Sequence, residues 1–385
     1  MTGIAMEALP GEPIGSPTSS SSLQLIVLGA AVTLAGCSTA VSPEDPESID
    51  SWMELYGIPG ASIAVFNDFK LDYVEAHGIK SEASQEPVTE RTLFQAASMS
   101  KSVSAVGALS LVQDGTLSLD RDVNDYLTSW QVPDNELQAV EKVTLRRLLS
   151  HTAGTTVSGF RGYRYTEPLP SLIQILNGEP PSNSPPIVVD LVPGSQWRYS
   201  GGGYEVMEQA IRDVTGVAYP DFIRDRVLQP LAMASSTYRQ PLPTALRDSA
   251  ASGYYADGRA VPGGHHIYPE MAAAALWTTP TDLALFLIEL QLSLRGESNA
   301  VLNRENTQLL LTEVDDDYAL GLVVWEHDGE PFFGHLGAND GFRGRMVAHR
   351  TAGFGVVILT NSDNGLEFAE AVLRLISERE GWPGY

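Results

Sequence analysis

The 385-residue chain has very little of several residue types. Cys37 is its single cysteine, so no disulfide can form within one molecule. Lysine and arginine together number 24 against 48 acidic residues, which gives a formal net charge of −24. A surface of this sign repels phosphate groups, and the composition therefore argues against a nucleic-acid partner.

Long apolar runs are also scarce. The run at 23–35 has about 13 residues, whereas a helix that spans a bilayer needs about 20. It ends in Leu34-Ala35-Gly36-Cys37, which resembles the lipobox of bacterial lipoprotein signals. That resemblance implies export, lipidation of Cys37 and membrane anchoring, with residues 1–48 as signal and tether. An ordinary disordered tail is the alternative, because signal peptides carry a basic n-region and no lysine or arginine precedes Lys70.

The stretch Phe94–Lys101 places Ser98 three residues before Lys101, ahead of an apolar-periodic run that ends near Gly115. This spacing predicts a buried helix that Ser98 opens, with Lys101 on the same face one turn later. A cation at a helix N-terminus is disfavoured by about 0.3–1 kcal/mol. Burial there pushes an amine towards the neutral form, which can accept a proton from Ser98. The alternative is a capping serine followed by a solvated lysine.

A second informative stretch is Trp197–Tyr204, in which Tyr199 and Ser200 precede three glycines. Consecutive glycines allow a close backbone approach or unusual dihedral angles. A phosphate-binding loop is a poor interpretation, because the Walker pattern is absent and the chain is acidic. Taken alone, Tyr199 is more typical of a core aromatic residue than of a catalyst.

Histidines mark two further places. In Phe333–Phe342 a predicted strand ends in His335-Leu336-Gly337 beside a turn. A strand edge of this kind can lay its bare backbone along a substrate. His151 follows a short helix that Thr144 caps, and we interpret it as a residue that ties down a loop rather than as a catalytic base.

The order of local patterns predicts an α+β protein. Strand-like runs occur at 61–66, 71–74, 92–95, 318–324, 331–335, 343–349 and 354–360. Strands in succession that are joined by short turns indicate an antiparallel sheet flanked by helices. Between them, residues 123–250 change to short helical segments and loops rich in proline and glycine.

Metal and cofactor sites are not predicted. Asp315–Asp317 lacks the spacing of an EF-hand calcium loop. His265 and His266 lack further ligands at a spacing that suits a metal ion. We therefore expect chemistry that uses side chains alone.

Ser-x-x-Lys at 98–101, Tyr-Ser-x at 199–201 and His-x-Gly at 335–337 resemble, in this order, the motifs of the serine β-lactamase and penicillin-binding-protein superfamily. The nearest branch is the class C-like one, which includes D,D-peptidases and family VIII carboxylesterases. The resemblance implies an α/β domain from both chain ends (49–122 and 251–385), a mainly helical inserted domain (123–250) and a cleft between them.

The same resemblance assigns roles to individual residues. Ser98 would be the nucleophile, and Lys101 and Tyr199 would share proton transfer, with Tyr199 as a base. His335 would supply the polar support that lysine gives in other members. The backbone N–H groups of Ser98 and Ala338 would form the oxyanion hole, where one donor contributes about 2.7–4 kcal/mol. A Gly-x-Ser-x-Gly elbow is absent from the sequence, which argues against an α/β-hydrolase.

Two departures from the family pattern bear on the substrate. Gly201 stands where the second motif usually ends in asparagine, so a contact with a substrate amide is missing. Leu336 stands where threonine often helps to hold a substrate carboxylate, and a carboxylate without donors is costly to bury. Both differences favour esters or neutral amides over β-lactams and acyl-D-Ala peptides.

The sequence thus predicts an exported serine hydrolase that works through an acyl-enzyme, most simply a carboxylesterase on small acyl esters. A D,D-peptidase or weak β-lactamase is an alternative with the same mechanism. The alternative that is not an enzyme is a catalytically silent lipoprotein that binds cell-wall material in the same cleft. In each case the binding partner is a small molecule or cell-wall material. The protein would be anchored to the membrane through Cys37.

Overall fold

The computed structural model describes residues 48–385. Cys37 and residues 1–47 of the predicted signal and tether lie outside the described residues, so processing at Cys37 stays a prediction. Ser48, the last residue of the predicted tether, is the N-cap of the first helix. Among residues 48–385, no helix combines the length and the apolar character that a membrane span requires.

The strands of this part of the chain form one large sheet and one short pair. They are β1 Gly60–Asn67, β2 Lys70–Ser81, β3 Glu86–Pro87, β4 Phe94–Gln95, β5 Trp277–Thr278, β6 Val323–His327, β7 Glu330–Asn339, β8 Phe342–His349 and β9 Gly355–Thr360. The large sheet has the order β3-β2-β1-β9-β8-β7-β6, and its neighbours are antiparallel. β1 and β9 meet in its middle, so both parts of the chain build one sheet, which confirms the predicted fold class.

Helices connect and cover these strands. They are α1 Ile49–Tyr56, α2 Ser100–Gln113, α3 Leu145–Leu149, α4 Leu172–Asn177, α5 Gly201–Thr215, α6 Tyr219–Ile223, α7 Met271–Ala274, α8 Pro280–Arg295, α9 Arg304–Leu310 and α10 Gly365–Glu380. Side-chain caps fix several starting points: Thr144 accepts from the N–H of Arg147 before α3, and Thr279 does so from Asp282 before α8.

Alternation along the central strands divides the core into two layers. Successive side chains of a strand point to opposite faces. Ile63 and Val65 of β1 pack in the cluster that contains α1 and α10, whereas Ala64 and Phe66 pack in the cluster that contains α2 and α8. The second cluster continues into α3–α6 of the helical region. The predicted domain boundaries at 122/123 and 250/251 stay predictions.

Two local expectations need correction. The predicted strand 318–324 begins only at Val323, and the preceding residues form a loop that carries Tyr318 into the interior. α2 begins at Ser100 rather than at Ser98, because Ser98 lies in a 3-10 turn, Ala97–Met99, that runs into the helix. Ser98 and Lys101 nevertheless remain one turn apart.

Candidate active site

The Ser98 turn is held in an unusual conformation against the sheet. Ala97 has a φ of +50°, a value that residues other than glycine adopt rarely and at a cost in strain. β7 passes so close that a Cβ atom on Gly337 would clash with the carbonyl oxygen of Ala96. Glycine at this place therefore permits the third motif to lie directly beside the nucleophile candidate.

Lys101 is buried, with 2% of its surface exposed. Its Nζ lies 3.2 Å from Ser98 Oγ and donates a hydrogen bond of 2.9 Å to the Ala273 carbonyl. Burial lowers the pKa of the Lys101 amine to about 7, while the charge of Glu205 acts in the opposite direction. The alternative of a solvated lysine beside a capping serine is therefore wrong.

Tyr199 completes a group of three polar side chains. Lys101 Nζ lies 5.0 Å from the centre of the Tyr199 ring. Burial raises the pKa of the Tyr199 phenol, and the neighbouring Ser98 hydroxyl opposes that effect. In the part of the chain that the structure describes, the phenol oxygen has no hydrogen-bond partner of normal geometry. A buried hydroxyl without a partner is costly, and here it is available to a ligand.

The position of Tyr199 follows from the helix that comes after it. Ser200 is the N-cap of α5, and its Oγ accepts from the N–H of Gly203 at 3.0 Å. The Ser200 N–H donates to His151 Nδ1 at 3.1 Å, and the N–H of Arg198 donates to the His151 carbonyl. His151 thus ties down the Tyr199 segment, as its loop interpretation predicts.

His151 also lies inside the site, which the sequence did not indicate. Its ring packs against Tyr199 and Tyr318, with centroid distances of 4.2 and 4.7 Å. Because Nδ1 accepts a hydrogen bond, the neutral ring carries its proton on Nε2, which has no partner among the described residues. Burial and the nearby Lys101 hold the pKa of His151 well below its usual value.

His335 is held by two hydrogen bonds. Its Nδ1 donates to the Leu336 carbonyl at 2.5 Å, so Nε2 accepts from the Tyr318 hydroxyl at 2.9 Å. Burial lowers the pKa of His335 to about 4. The ring is therefore neutral near pH 7 and brings polarity to the site without the positive charge of a lysine. The sequence placed Tyr318 at the start of a predicted strand and gave no sign that its side chain belongs to the site.

The outer edge of β7 faces the Ser98 turn. β6 pairs with β7 up to Gly334, and no described strand pairs with this edge beyond it. Asn339 and Phe342 close a two-residue hairpin and therefore exchange both backbone hydrogen bonds. Counting back along the strand, Ala338 and Leu336 direct their N–H and C=O groups away from β8. The Ala338 N–H is thus available at the edge where the oxyanion hole is expected.

An aromatic side chain from another loop fills the space beside Gly201. A Cβ atom there would lie 2.9 Å from Phe160 Cε2 and 3.2 Å from the Ser158 carbonyl oxygen. A side chain at position 201 would therefore meet an apolar ring as well as a backbone oxygen. Among residues 48–385, no group of three or more His, Cys, Asp or Glu side chains is arranged to hold a metal ion.

A family model described as Beta-lactamase matches residues 47–380. The chain belongs to the beta-lactamase family. This membership confirms the resemblance found in the three motifs and places the chain among β-lactamase-fold serine hydrolases.

Three proteins that are similar to this chain share between 22% and 26% of the aligned residues with it. It is similar to penicillin-binding protein 4 of Amycolatopsis lactamdurans, with 26% identity over 87% of this chain and 89% of that protein. It is 23% identical to the protein flp of Staphylococcus aureus strain MW2 over 79% of its own length, and spans 60% of flp. D-amino acid amidase from Ochrobactrum anthropi shares the fold, with a TM-score of 0.70 and 22% identity over 86% of this chain and 97% of the amidase.

Proposed function

We propose that this protein is a serine hydrolase that forms an acyl-enzyme on Ser98 and acts on small neutral acyl esters. The observation that carries the proposal is the 3.2 Å separation between Ser98 Oγ and the buried Lys101 amine. An amine that is half neutral near pH 7 is a suitable proton acceptor for a serine hydroxyl. The Tyr199 phenol beside them supplies a proton on the leaving-group side.

In acylation, Lys101 Nζ takes the proton of Ser98 while Oγ attacks the ester carbonyl. The carbonyl oxygen becomes an oxyanion that the N–H groups of Ser98 and Ala338 can stabilise. The C–O bond to the alcohol then breaks, and the alcohol leaves with a proton from Tyr199, which Lys101 replaces. In deacylation, Lys101 takes a proton from water while the water oxygen attacks the acyl carbon. The bond between the acyl carbon and Ser98 Oγ then breaks, Lys101 returns the proton to Oγ, and the acid leaves.

The burial of Tyr199 modifies the role that the family pattern suggests for it. Its pKa is raised rather than lowered, so the phenol is protonated at neutral pH. Lys101, with a pKa of about 7, is the stronger candidate for the resting base. We therefore assign proton acceptance to Lys101 and proton donation to Tyr199 in the first half-reaction.

Preference for esters rests on the groups around the nucleophile. Gly201 has no side chain amide to contact a substrate amide, and a side chain at this position would meet Phe160. His335 carries no charge near pH 7 and offers nothing to attract a substrate carboxylate. Without prior protonation, an alkoxide is also an easier leaving group than an amide anion. These features support esters over peptides and β-lactams.

A substrate panel tests the proposal. Purified protein is incubated with 4-nitrophenyl acetate and butyrate, a chromogenic cephalosporin, a D-alanyl-D-alanine peptide and a D-amino acid amide, each beside the Ser98→Ala variant. We expect the highest kcat/KM with the esters, and only where Ser98 is present. Faster turnover of the cephalosporin, the peptide or the amide would overturn the ester preference.

A second variant pair tests the structural reason for that preference. Gly201→Asn restores the amide but meets Phe160, so it is combined with Phe160→Ala, and Phe160→Ala alone is the control. The double variant is expected to gain cephalosporin or peptide turnover relative to ester hydrolysis. An unchanged ratio would show that this position does not set the substrate class.

A fluorophosphonate distinguishes an enzyme from a silent binding protein. It forms a covalent bond only with an activated serine, and intact mass reports the adduct. We expect one adduct on the wild type and none on Ser98→Ala. An unmodified wild type would favour the cell-wall-binding alternative.

We also propose export and anchoring through Cys37, from the lipobox-like sequence alone. Labelled palmitate should enter the wild-type chain in a bacterial host and should not enter Cys37→Ser. Equal labelling of both, or of neither, would refute the anchor.

A further inference from the structure

β7 loses its outer neighbour at the point where it enters the site. Its pairing with β6 ends at Val323 and Gly334, and His335 is the next residue of β7. None of the described strands continues this pairing. His335 is buried and begins the edge that leads to Ala338, where the oxyanion donor is expected. On this side of β7, beyond Gly334, contacts from loops and side chains therefore hold the strand.

The loop that precedes β6 carries Tyr318 to this point. Tyr318 is buried, and its hydroxyl lies 2.9 Å from His335 Nε2. The Leu336 carbonyl oxygen can only accept, so His335 Nδ1 carries the proton of the neutral ring and Nε2 is the acceptor. Burial raises the pKa of the Tyr318 phenol well above its usual value and lowers that of His335 to about 4. Near pH 7 each partner thus has the protonation state that this hydrogen bond requires.

The same loop is fixed to the helix that follows Ser98. Ser102 Oγ of α2 donates to the Gly321 carbonyl at 2.7 Å. A Cβ atom on Gly321 would lie 2.6 Å from Ala105 Cβ and 3.2 Å from the Lys101 carbonyl oxygen. Gly321 also has a φ of +86°, which favours glycine. Glycine therefore allows the loop to lie directly on the turn of α2 that contains Lys101.

Tyr318 also borders the Tyr199 segment. Its ring centre lies 4.7 Å from that of His151 and 6.5 Å from that of Tyr199. His151 in turn accepts the N–H of Ser200, the neighbour of Tyr199. Tyr318 lies outside the three motifs, yet it binds the third, packs beside the second and belongs to a loop that is fixed to the first.

We propose that Tyr318 is a positioning residue of the active site: its hydroxyl fixes the His335 ring through Nε2 and thereby aligns β7 with the Ser98 turn. The inference rests on the proposed hydrolase function for its catalytic consequence. The Leu336 carbonyl and the Tyr318 hydroxyl occupy both ring nitrogens of His335, so the imidazole has no donor or acceptor left for a substrate. The histidine of the third motif therefore acts by holding the site rather than by contacting the ester.

Removal of one hydroxyl tests the catalytic role. Tyr318→Phe keeps the ring that packs on His151. We expect kcat for 4-nitrophenyl acetate to fall about tenfold with little change in KM, because a loosened β7 misplaces the groups around Ser98. Tyr254→Phe is the matched control, since Tyr254 is also buried and its hydroxyl accepts from the Glu82 N–H at 2.6 Å, outside the site.

Both variants lose one buried hydrogen bond and should lose stability, but only Tyr318→Phe should lower kcat. An unchanged kcat in Tyr318→Phe would overturn the inference, as would an equal loss in Tyr254→Phe.

Two substitutions of His335 test whether the acceptor atom matters. Glutamine can place a carbonyl oxygen near the position of Nε2 and so keeps an acceptor for Tyr318, whereas asparagine is too short to do so. We expect kcat to be about fivefold higher in His335→Gln than in His335→Asn. In His335→Asn, the addition of Tyr318→Phe should cause no further loss, because the interaction is already absent.

Equal rates in His335→Gln and His335→Asn would refute the route through Nε2. Losses that multiply in the double variant would refute it as well. If Tyr318→Phe does not fold, the comparison of His335→Gln with His335→Asn decides.

Nitrogen NMR tests the hydrogen bond without any substrate. The chain contains seven histidines, so labelling with ¹⁵N-histidine gives few ring signals, and His335→Gln identifies those of His335. We expect a protonated Nδ1 and an unprotonated Nε2 in the wild type near pH 7. The Nε2 signal should move downfield in Tyr318→Phe, because the nitrogen loses its donor, and should stay in place in Tyr254→Phe. A protonated Nε2 in the wild type, or a signal that Tyr318→Phe leaves unmoved, would overturn the inference.

The two proposals can fail separately. A wild type that hydrolyses no ester, but whose Nε2 signal moves in Tyr318→Phe, would refute the hydrolase proposal and support the hydrogen bond on which the inference rests. An active wild type with an unmoved Nε2 signal would do the reverse.

Discussion

The two faces of the large sheet differ in how they treat polar groups. The face covered by α1 and α10 is a cluster of apolar side chains, from Ile49 and Trp52 to Phe368 and Trp382. Among the described residues, no member of that cluster has a buried polar atom without a partner. Of the twelve such atoms in the described residues, seven belong to residues of the Lys101 region: His151, Trp197, Tyr199, Glu205, Glu208 and Glu270, which has two. The other five belong to Gln240, His266, Trp277, Gln291 and Asn361.

The contrast separates stability from function within one fold. Apolar burial contributes about 25 cal/mol per Å² and needs no partner atoms. Each polar atom buried without a hydrogen bond costs about 1–3 kcal/mol. Burial on the apolar face thus offsets the unfavourable free energy of the polar atoms buried at the site. Conflicts with local folding preferences are concentrated where chemistry is proposed. Substitutions on the two faces should therefore have opposite effects.

The largest effect is expected from Ser98→Ala. Loss of the nucleophile should lower kcat for 4-nitrophenyl acetate by a factor on the order of 10⁴ or more. The melting temperature should change little, since the Ser98 hydroxyl contributes no apolar core packing. A variant that retains a tenth of the wild-type rate would contradict the assignment of Ser98.

Tyr199→Phe should have the next largest effect. It removes only the phenol oxygen, which has no partner among the described residues. Loss of a positioned proton donor should lower kcat by about 10²–10⁴-fold, without loss of stability. Stopped-flow acylation and thermal unfolding are measured on the same sample. Destabilisation with an unchanged rate would indicate a purely structural tyrosine.

Phe368→Ala on the opposite face should give the reverse result. Phe368 is fully buried in α10 against the sheet. Its truncation should cost about 3–5 kcal/mol in the free energy of unfolding, measured by urea titration. Activity per folded molecule, counted by fluorophosphonate labelling, should not change. A loss of specific activity would show that the two faces are coupled.

Activity should depend on pH through Lys101. The amine accepts a proton only when neutral, and its pKa is about 7. Below that value kcat/KM should fall about tenfold per pH unit, and above it the rate should be flat. Lys101→Met should lose the activity whose kcat/KM falls below pH 7. A rate that stays constant down to pH 5 would rule out Lys101 as the base.

Stability should depend on pH through Glu270. Its pKa is raised from 4.5 to about 8 in the folded chain. Between these values the folded state binds more protons than the unfolded state, so the free energy of unfolding falls as pH rises. Glu270→Gln should therefore be more stable than the wild type at pH 8 by about 1–3 kcal/mol and similar at pH 5.

A surface substitution is the control for that comparison. Glu54 lies exposed on α1, and Glu54→Gln should leave the pH dependence of unfolding unchanged. A Glu270→Gln variant with the wild-type pH dependence would show that Glu270 is ionised at the same pH in both states.

Much of the architecture was predictable, and particular residues show why. The buried strand run at 61–66, the helix with its stop near Gly115 and the caps at Thr144 and Thr279 depend on local spacing, which the chain carries in its own order. The strand predicted to begin at Tyr318 was wrong at its start, because local spacing carries no information about contacts with distant residues. An apolar run cannot reveal that its first residue leaves the sheet to donate a hydrogen bond to His335.

The sequence by itself determined the fold class, the order of the three motifs and the pairing of Ser98 with Lys101, because these depend on neighbours within one helical turn or one strand. Tertiary structure alone decided that Lys101 is buried, that Tyr318 and His151 enclose Tyr199, and that the loop of Tyr318 packs on α2. Burial and charge are properties of distant segments that meet in space, and residues about 100 positions apart leave no periodic trace of that meeting.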